Sequence, residues 1–143
     1  MRTESWLLEH SAYLAWAIAL VSLVGSLYFS EILDFVPCVL CWYQRIFMWP
    51  LVFVIGIGIL RRDGALWAYV LPLSVMGTMV ALYQNLLVWH VISERLAPCI
   101  SGVSCVDQPF VVLNFITIPL LSLVSFVLIT MLMLKHRSAH PNG

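Results

Sequence analysis

Four stretches of this chain are too long and too apolar to sit on the surface of a water-soluble protein. They run roughly over 12–30, 42–60, 65–92 and 110–134. The first, third and fourth contain no Asp, Glu, Lys or Arg, and the second contains only Arg45. A helix that crosses a bilayer needs about 20 apolar residues. Within lipid every backbone amide and carbonyl must be satisfied inside the segment or within a closed barrel. Barrel strands are about 9–11 residues of alternating polarity, whereas these runs are longer and apolar all round. The expected fold class is therefore all-α, an integral membrane four-helix bundle forming a single membrane domain over 1–143. Composition agrees: 62% of the residues are hydrophobic and 10% charged, against about 45–50% and 25% in soluble domains. Pro50, Pro72 and Pro119 lie inside the runs, which a membrane bundle tolerates. Gly25, Gly56, Gly58 and Gly77 are expected at close helix contacts or bends.

The few charges set the orientation. The first run is longer than a signal-peptide core of about 7–15 residues and no clear small-x-small site follows it, so an uncleaved first helix is expected. Arg61 and Arg62 lie between the second and third runs, Lys135 and Arg137 follow the fourth, and Arg2 precedes the first. Segment 31–37 has no basic residue and 93–109 has only Arg95. By the positive-inside rule both termini and the Arg61–Arg62 turn face the cytoplasm. Segments of about 31–41 and 93–109 are then extracytoplasmic. Trp42, Tyr43 and Trp89 would form an outer aromatic belt, and Trp67 with Tyr69 an inner one. Formal net charge is zero, which removes any bulk attraction to nucleic acid or anionic lipid.

This orientation puts all four cysteines on the outer side, where disulfides persist in bacteria and in secretory compartments. Cys38 and Cys41 form a C-x-x-C at the start of the second helix, and Cys99 and Cys105 lie in the loop before the fourth. Four cysteines allow three connectivities, of which pairing by proximity, 38–41 and 99–105, is the simplest. Three readings stay open: redox-active disulfides, structural staples, or a zinc site. A disulfide across C-x-x-C closes almost no loop, which weakens the staple. Zinc pairs more often use spacings of two to four residues, which weakens a site completed by Cys99 and Cys105. Redox chemistry is the reading the pattern favours.

The surroundings of the first pair fit that reading. Pro37 suits a helix start, and cysteines in a first turn feel the positive helix end, which favours the thiolate. Cys38, Cys41 and Arg45 are spaced i, i+3 and i+7 and share one face. A charged side chain costs about 2.5–3.5 kcal/mol at mid-membrane and less near an interface, so Arg45 is a functional candidate by default. Its expected role is to stabilise a nearby thiolate and a polar head group at the membrane boundary; the plainer role is an interfacial anchor. Gln84 and Asn85 sit inside the third run, where interhelical hydrogen bonding is the commoner use of an amide. His10, His136 and His140 lie near the opposite ends and are expected to be solvated. Met76, Met79, Met131 and Met133 are expected to pack between helices.

The segment Pro37-Cys38-Val39-Leu40-Cys41-Trp42-Tyr43-Gln44-Arg45 resembles the signature of the DsbB family of disulfide-bond formation proteins, bacterial inner-membrane thiol:quinone oxidoreductases. Pro98-Cys99-Ile100-Ser101-Gly102-Val103-Ser104-Cys105 and Phe115-Ile116-Thr117-Ile118-Pro119-Leu120-Leu121-Ser122-Leu123 resemble its short-loop, Bacillus-type (BdbC-like) branch. The resemblance covers about 10–134. The better-known branch has a much longer loop between its second pair, and the shorter one here leaves less slack for moving a disulfide between partners.

The resemblance implies four catalytic cysteines, with redox disulfides Cys38–Cys41 and Cys99–Cys105. It implies a DsbA-like thioredoxin-fold thiol oxidase as partner and a membrane quinone, menaquinone or ubiquinone, as cofactor. The partner's thiolate would attack Cys99, Cys105 would attack Cys38, and Cys41 would face the quinone with Arg45 beside it. His90 and Gln84 are further expected quinone contacts, and the expected location is the bacterial cytoplasmic membrane. The rival readings are a metal-binding or transport membrane protein using the four cysteines and an assembly factor with structural disulfides. An epoxide-reductase-like bundle is a nearer rival, but its active pair lies late in the chain, whereas here C-x-x-C opens the second helix.

Overall fold

A computed structural model describes residues 2–32, 34, 38–93, 111–112 and 116–139. Cys99, Cys105, Pro37, Arg95 and His140 lie outside these described residues. Four helices make up the fold: α1 Arg2–Glu31, α2 Val39–Arg61, α3 Leu66–Val88 and α4 Ile118–Ala139. Before α4, β1 Val111–Val112 pairs antiparallel with β2 Ile116–Thr117, Val111 opposite Thr117 and Val112 opposite Ile116. His10–Glu31, Val39–Arg61, Leu66–Val88 and Ile118–Ala139 are each long and apolar enough to cross a membrane. The chain is thus an all-α membrane bundle.

Helix ends differ from the apolar runs where local chemistry intervenes. α4 begins at Ile118 rather than near 110, because the β-branched residues ahead of it pair as a short ladder and Pro119 fits the first helical turn. α3 stops at Val88 rather than 92. There His90 takes a left-handed φ of 55°, its N–H donates to Leu87 O at 3.0 Å and the Val91 N–H donates to Leu86 O at 3.0 Å. This is a Schellman ending, which satisfies carbonyls the helix leaves open. Arg62 ends α2 in the same way, with φ 51° and the Asp63 N–H on Gly58 O at 3.0 Å. Asp63 Oδ1 then accepts the Ala65 N–H at 2.8 Å and starts α3.

The helices pack in ring order, α1 on α2, α2 on α3, α3 on α4 and α4 back on α1. Cross-helix pairs show that neighbours run antiparallel. Ser11 meets His136 and Ser22 meets Ser125, while Ser74 meets Thr130 and Asn85 meets Pro119. One end of the bundle therefore gathers the end of α1, the start of α2, the end of α3 and the start of α4. The other gathers the α2–α3 turn with Arg61 and Arg62, and Lys135 and Arg137 of α4. Trp42, Tyr43 and Trp89 are exposed at the first end and Tyr69 near the second, while Trp67 is half-buried beneath Arg137, 4.7 Å from its ring.

Small residues on α1, Ala12, Ala15 and Ala19, face Leu51, Ile55, Val70, Ile129 and Met133 in the core. Val21, Phe53 and Leu60 point outward, as lipid replaces water around a helix that is apolar all round. Met76, Met79 and Met131 do too, and of the four methionines expected to pack between helices only Met133 is in the core. Gly56 gives the Trp16 indole access to α2, where Nε1 donates to Val52 O at 3.2 Å. His136 corrects the expectation of a solvated histidine: it is 8% exposed, with Nδ1 3.1 Å from Ser11 Oγ. The reason is that α4 runs on to Ala139, which carries His136 inward against α1.

Gly77 marks a close α3–α4 approach. A Cβ there would lie 2.2 Å from Cε1 of Phe126, a ring that is fully buried. Gly77→Ala is expected to cost about 1–3 kcal/mol through overpacking, reduced by about 1 kcal/mol of gained helix propensity. Gly25→Ala, with nothing within 4 Å of the added carbon, is expected to be neutral or slightly stabilising. Thermal unfolding of the two variants in detergent checks this; a Gly77→Ala midpoint at or above wild type overturns the close approach.

Candidate functional site: a thiol pair beside a membrane cleft

The C-x-x-C wraps the first turn of α2. Cys38 is the N-cap, with φ −66° and ψ 165°, and its carbonyl accepts the Trp42 N–H at 3.1 Å. This places the two sulfurs 3.2 Å apart as free thiols, Cys38 Sγ donating to Cys41 Sγ. Cys38 is 2% exposed and packs with Leu40 and Leu87. Its hydrogen bond to Cys41, followed by burial, pushes the Cys38 thiol above the ordinary thiol range. Cys41 is half-buried and turns toward a cleft.

That cleft has a volume of about 310 Å³ and opens between α1, α2 and α4. Its walls include Val21, Phe29, Met48, Ile118 and Leu121, and its polar atoms come from Cys41, Gln44, Arg45 and four serines. Arg45 reaches it from α2 and is held from α1: Nε donates to Ser26 Oγ at 2.9 Å and Nη2 to Ser26 O at 2.7 Å. Its guanidinium also lies 5.7 Å from the Trp42 ring. Ser26 therefore partners two of the cation's five N–H donors, part of the compensation a charge near lipid requires. A smaller groove of about 260 Å³ lies on the far side of Arg45, lined by Leu27, Ser30, Glu31, Trp42 and Trp49.

Gln84 comes from α3 and approaches the thiols from behind. Its Nε2 is 3.2 Å from Cys41 Sγ and 3.4 Å from Cys38 Sγ, and its Oε1 accepts from Gln44 Nε2. Asn85 does a different task, donating to Ala81 O at 2.7 Å and to Pro119 O at 3.0 Å. It anchors Pro119, one of the cleft residues.

The fold thus brings together Cys38, Cys41, Arg45 and Gln84. Gln84 sits at the sulfurs rather than on the cleft lining, and His90 is an exposed helix-ending residue outside that lining. Cys99 and Cys105 lie outside the described residues. Sequence reasoning missed Gln44, Ser26 and Pro119. Gln44 had a signal: a second amide in an apolar run needs a partner, and Gln84 was available. Ser26 had none, since a serine in a membrane helix satisfies itself on its own backbone.

A family model described as disulfide bond formation protein DsbB matches residues 9–135. The chain is 44% identical over 127 residues to disulfide bond formation protein C of Bacillus subtilis (strain 168), covering 85% of this chain and 88% of the relative. It is 43% identical over 129 residues to a probable disulfide formation protein of Deinococcus radiodurans, covering 85% and 84%. A probable disulfide formation protein of Metapseudomonas resinovorans is 36% identical over 122 residues, covering 85% of each. No solved structure matches the chain significantly.

The unequal exposure of the two thiols has a measurable consequence. In the reduced protein, Cys41 is expected to react with a small alkylating reagent about tenfold or more faster than Cys38, since reactivity follows thiolate character and access. Mass spectrometry of peptides from timed, quenched samples reads the order. Faster labelling at Cys38 contradicts the placement of Cys41 at the cleft.

Proposed function

The chain belongs to the DsbB family of disulfide bond formation proteins, and on that premise we propose that it is a membrane thiol:quinone oxidoreductase. In this reading it reoxidises a DsbA-like thioredoxin-fold thiol oxidase and passes the electrons to a membrane quinone. The observation that carries the proposal is the shared cleft: Cys41, from a pair of sulfurs 3.2 Å apart, lines the same cavity as Arg45. Its volume falls within the range of small-molecule pockets, about 300–1,000 Å³. Apolar walls with a few polar atoms at one side fit the ring and head-group oxygens of a menaquinone or a ubiquinone. A bound quinone would supply a two-electron, two-proton acceptor.

The cysteines supply the rest. The reduced partner's thiolate attacks Cys99 of a Cys99–Cys105 disulfide, and Cys105 leaves as a thiolate. Cys105 attacks Cys38, the Cys38–Cys41 bond breaks, and its electron pair stays on Cys41. The partner's second thiolate attacks the mixed disulfide, leaving oxidised and freeing Cys99. Cys99 then recloses on Cys105 and releases Cys38. The net exchange turns the partner dithiol into a disulfide and the Cys38–Cys41 disulfide into a dithiol. Arg45, fixed by Ser26, faces the developing negative charge. The proposed setting is the bacterial cytoplasmic membrane with the cysteine end outside. The gathering of Arg61, Arg62, Lys135 and Arg137 at the opposite end supports it.

Two predictions test this reading. Purified protein, a reduced thioredoxin-fold partner and quinone are mixed without oxygen, and quinone absorbance is followed against quinone concentration. Arg45→Met is expected to lose about tenfold or more in rate over quinone concentration, a fold-change equal to about 1.4 kcal/mol. Arg45→Lys should be intermediate, keeping charge but losing the planar fork. Wild-type kinetics in a folded Arg45→Met protein reduces Arg45 to a membrane-edge anchor. Separately, Cys105→Ser mixed with the oxidised partner should accumulate a mixed disulfide between Cys99 and the partner on non-reducing gels, formed as Cys99 attacks the partner's disulfide and frees the partner's other thiolate; trapping through Cys105 in Cys99→Ser alone would reverse the order of attack.

A further inference from the structure

Two neighbouring amides on α3 are used in different ways. Asn85 donates to backbone carbonyls of α3 and α4, the ordinary work of a buried amide in a membrane bundle. Gln84 turns its nitrogen toward two sulfurs, at 3.2 Å and 3.4 Å. Both residues are fully buried, and Gln44 nearly so. A side-chain amide has one acceptor oxygen and two N–H donors on its nitrogen. Gln44 Nε2 occupies the oxygen of Gln84, so the end that faces the sulfurs is the donor end. A neutral thiol is a weak acceptor, whereas hydrogen bonds to an ionised acceptor are about twice as strong as neutral ones. The arrangement therefore favours the state in which one sulfur carries charge.

We infer that Gln84 is a catalytic residue of the Cys38–Cys41 couple, its amide N–H groups stabilising the thiolate that leaves when the disulfide is opened, with Gln44 as the positioning residue that fixes which end of the amide faces sulfur. In the step concerned, an incoming thiolate sulfur bonds to Cys38 Sγ. The Cys38–Cys41 bond breaks, its electron pair stays on Cys41 Sγ, and the Gln84 N–H groups meet that charge. A second thiolate of the same dithiol reductant then displaces Cys38, so two electrons enter the pair and the reductant becomes a disulfide. The inference rests on the redox part of the proposed function, that this pair cycles between disulfide and dithiol, and is independent of the electron acceptor and of the partner.

The test uses the full-length protein in detergent, equilibrated with mixtures of reduced and oxidised dithiothreitol, then acid-quenched and alkylated. Mass spectrometry of the peptide bearing Cys38 and Cys41 gives the midpoint, and timed samples give the rate of opening. Gln84→Leu removes both donors at similar volume. Its midpoint is expected to move about tenfold toward the disulfide, with a comparable fall in opening rate, the scale of a lost hydrogen bond to a charged group. Gln44→Leu leaves Gln84 in place but frees its amide to turn, and about a threefold shift is expected. A purely structural amide would lower thermal stability and leave both readings unmoved. Wild-type midpoint and rate in folded Gln84→Leu overturns the inference. Should that variant fail to fold, Gln44→Leu decides: a shifted midpoint supports the assignment and an unmoved one overturns it. A wild-type pair that never forms a disulfide sinks the proposed function and this assignment together, whereas a normal wild-type midpoint with unmoved variants sinks the assignment alone.

Discussion

A polar side chain inside a lipid-embedded bundle has no water to fall back on, so its partner must be another part of the protein. In this chain each neighbouring pair of helices is joined by such a bond. Arg45 to Ser26 and Trp16 to Val52 tie α1 to α2, and Gln44 to Gln84 ties α2 to α3. Ser74 to Thr130 and Asn85 to Pro119 tie α3 to α4, while Ser22 to Ser125 and Ser11 to His136 close the ring. Apolar packing alone specifies register weakly when lipid and core are chemically alike. These bonds fix which helix lies beside which, and at what height.

The site inherits its rigidity from the same bonds. The sulfurs sit at an N-terminal turn, where the helix has free N–H groups and a positive dipole end. Gln84 backs them from α3, and Arg45 flanks Cys41 from one turn deeper along α2. Pro119, held by Asn85, is one of the residues that form the α4 side of the cleft. The cleft therefore has one chemically active edge, formed mostly by α2, and apolar walls contributed by α1 and α4.

The fold was legible because lipid leaves a helix-forming chain few options. Four uncharged or nearly uncharged runs led directly to four helices. Their ends were less legible, because the left-handed positions of the Schellman endings at Arg62 and His90 are filled by neither Gly nor Asn, the residues that usually mark them. His136 shows the same limit: inward placement depended on how far α4 continued beyond the apolar run. At the site, Cys38, Cys41 and Arg45 could be read from spacing within one helix. The Gln44–Gln84 bond was signalled only by two amides in apolar runs, because it joins residues on different helices and its formation depends on the rotation of α2 about its axis. Ser26 lies further from reach, since nothing distinguishes it from Ser22 or Ser30 until α1 is docked.

The order of residues along α2 explains how one helix serves both the sulfurs and the cleft. Successive residues on a helix are turned by about 100°, so adjacent Gln44 and Arg45 address different neighbours. Gln44 meets Gln84 on α3, and Arg45 meets Ser26 on α1. Cys41 precedes them by three and four residues, which places it on the same surface as both. Its sulfur consequently lies between an amide network on one side and a cation on the other, while Cys38, a turn nearer the helix start, is left against Leu40 and Leu87. Exchanging Gln44 and Arg45 would aim the guanidinium at the buried face of α3 and the amide at α1. The cation would lose Ser26 and the sulfurs would lose the oriented amide behind them. The sequence Cys-x-x-Gln-Arg is thus a geometric solution: it divides the two sulfurs into one turned toward the membrane cleft and one kept within the bundle.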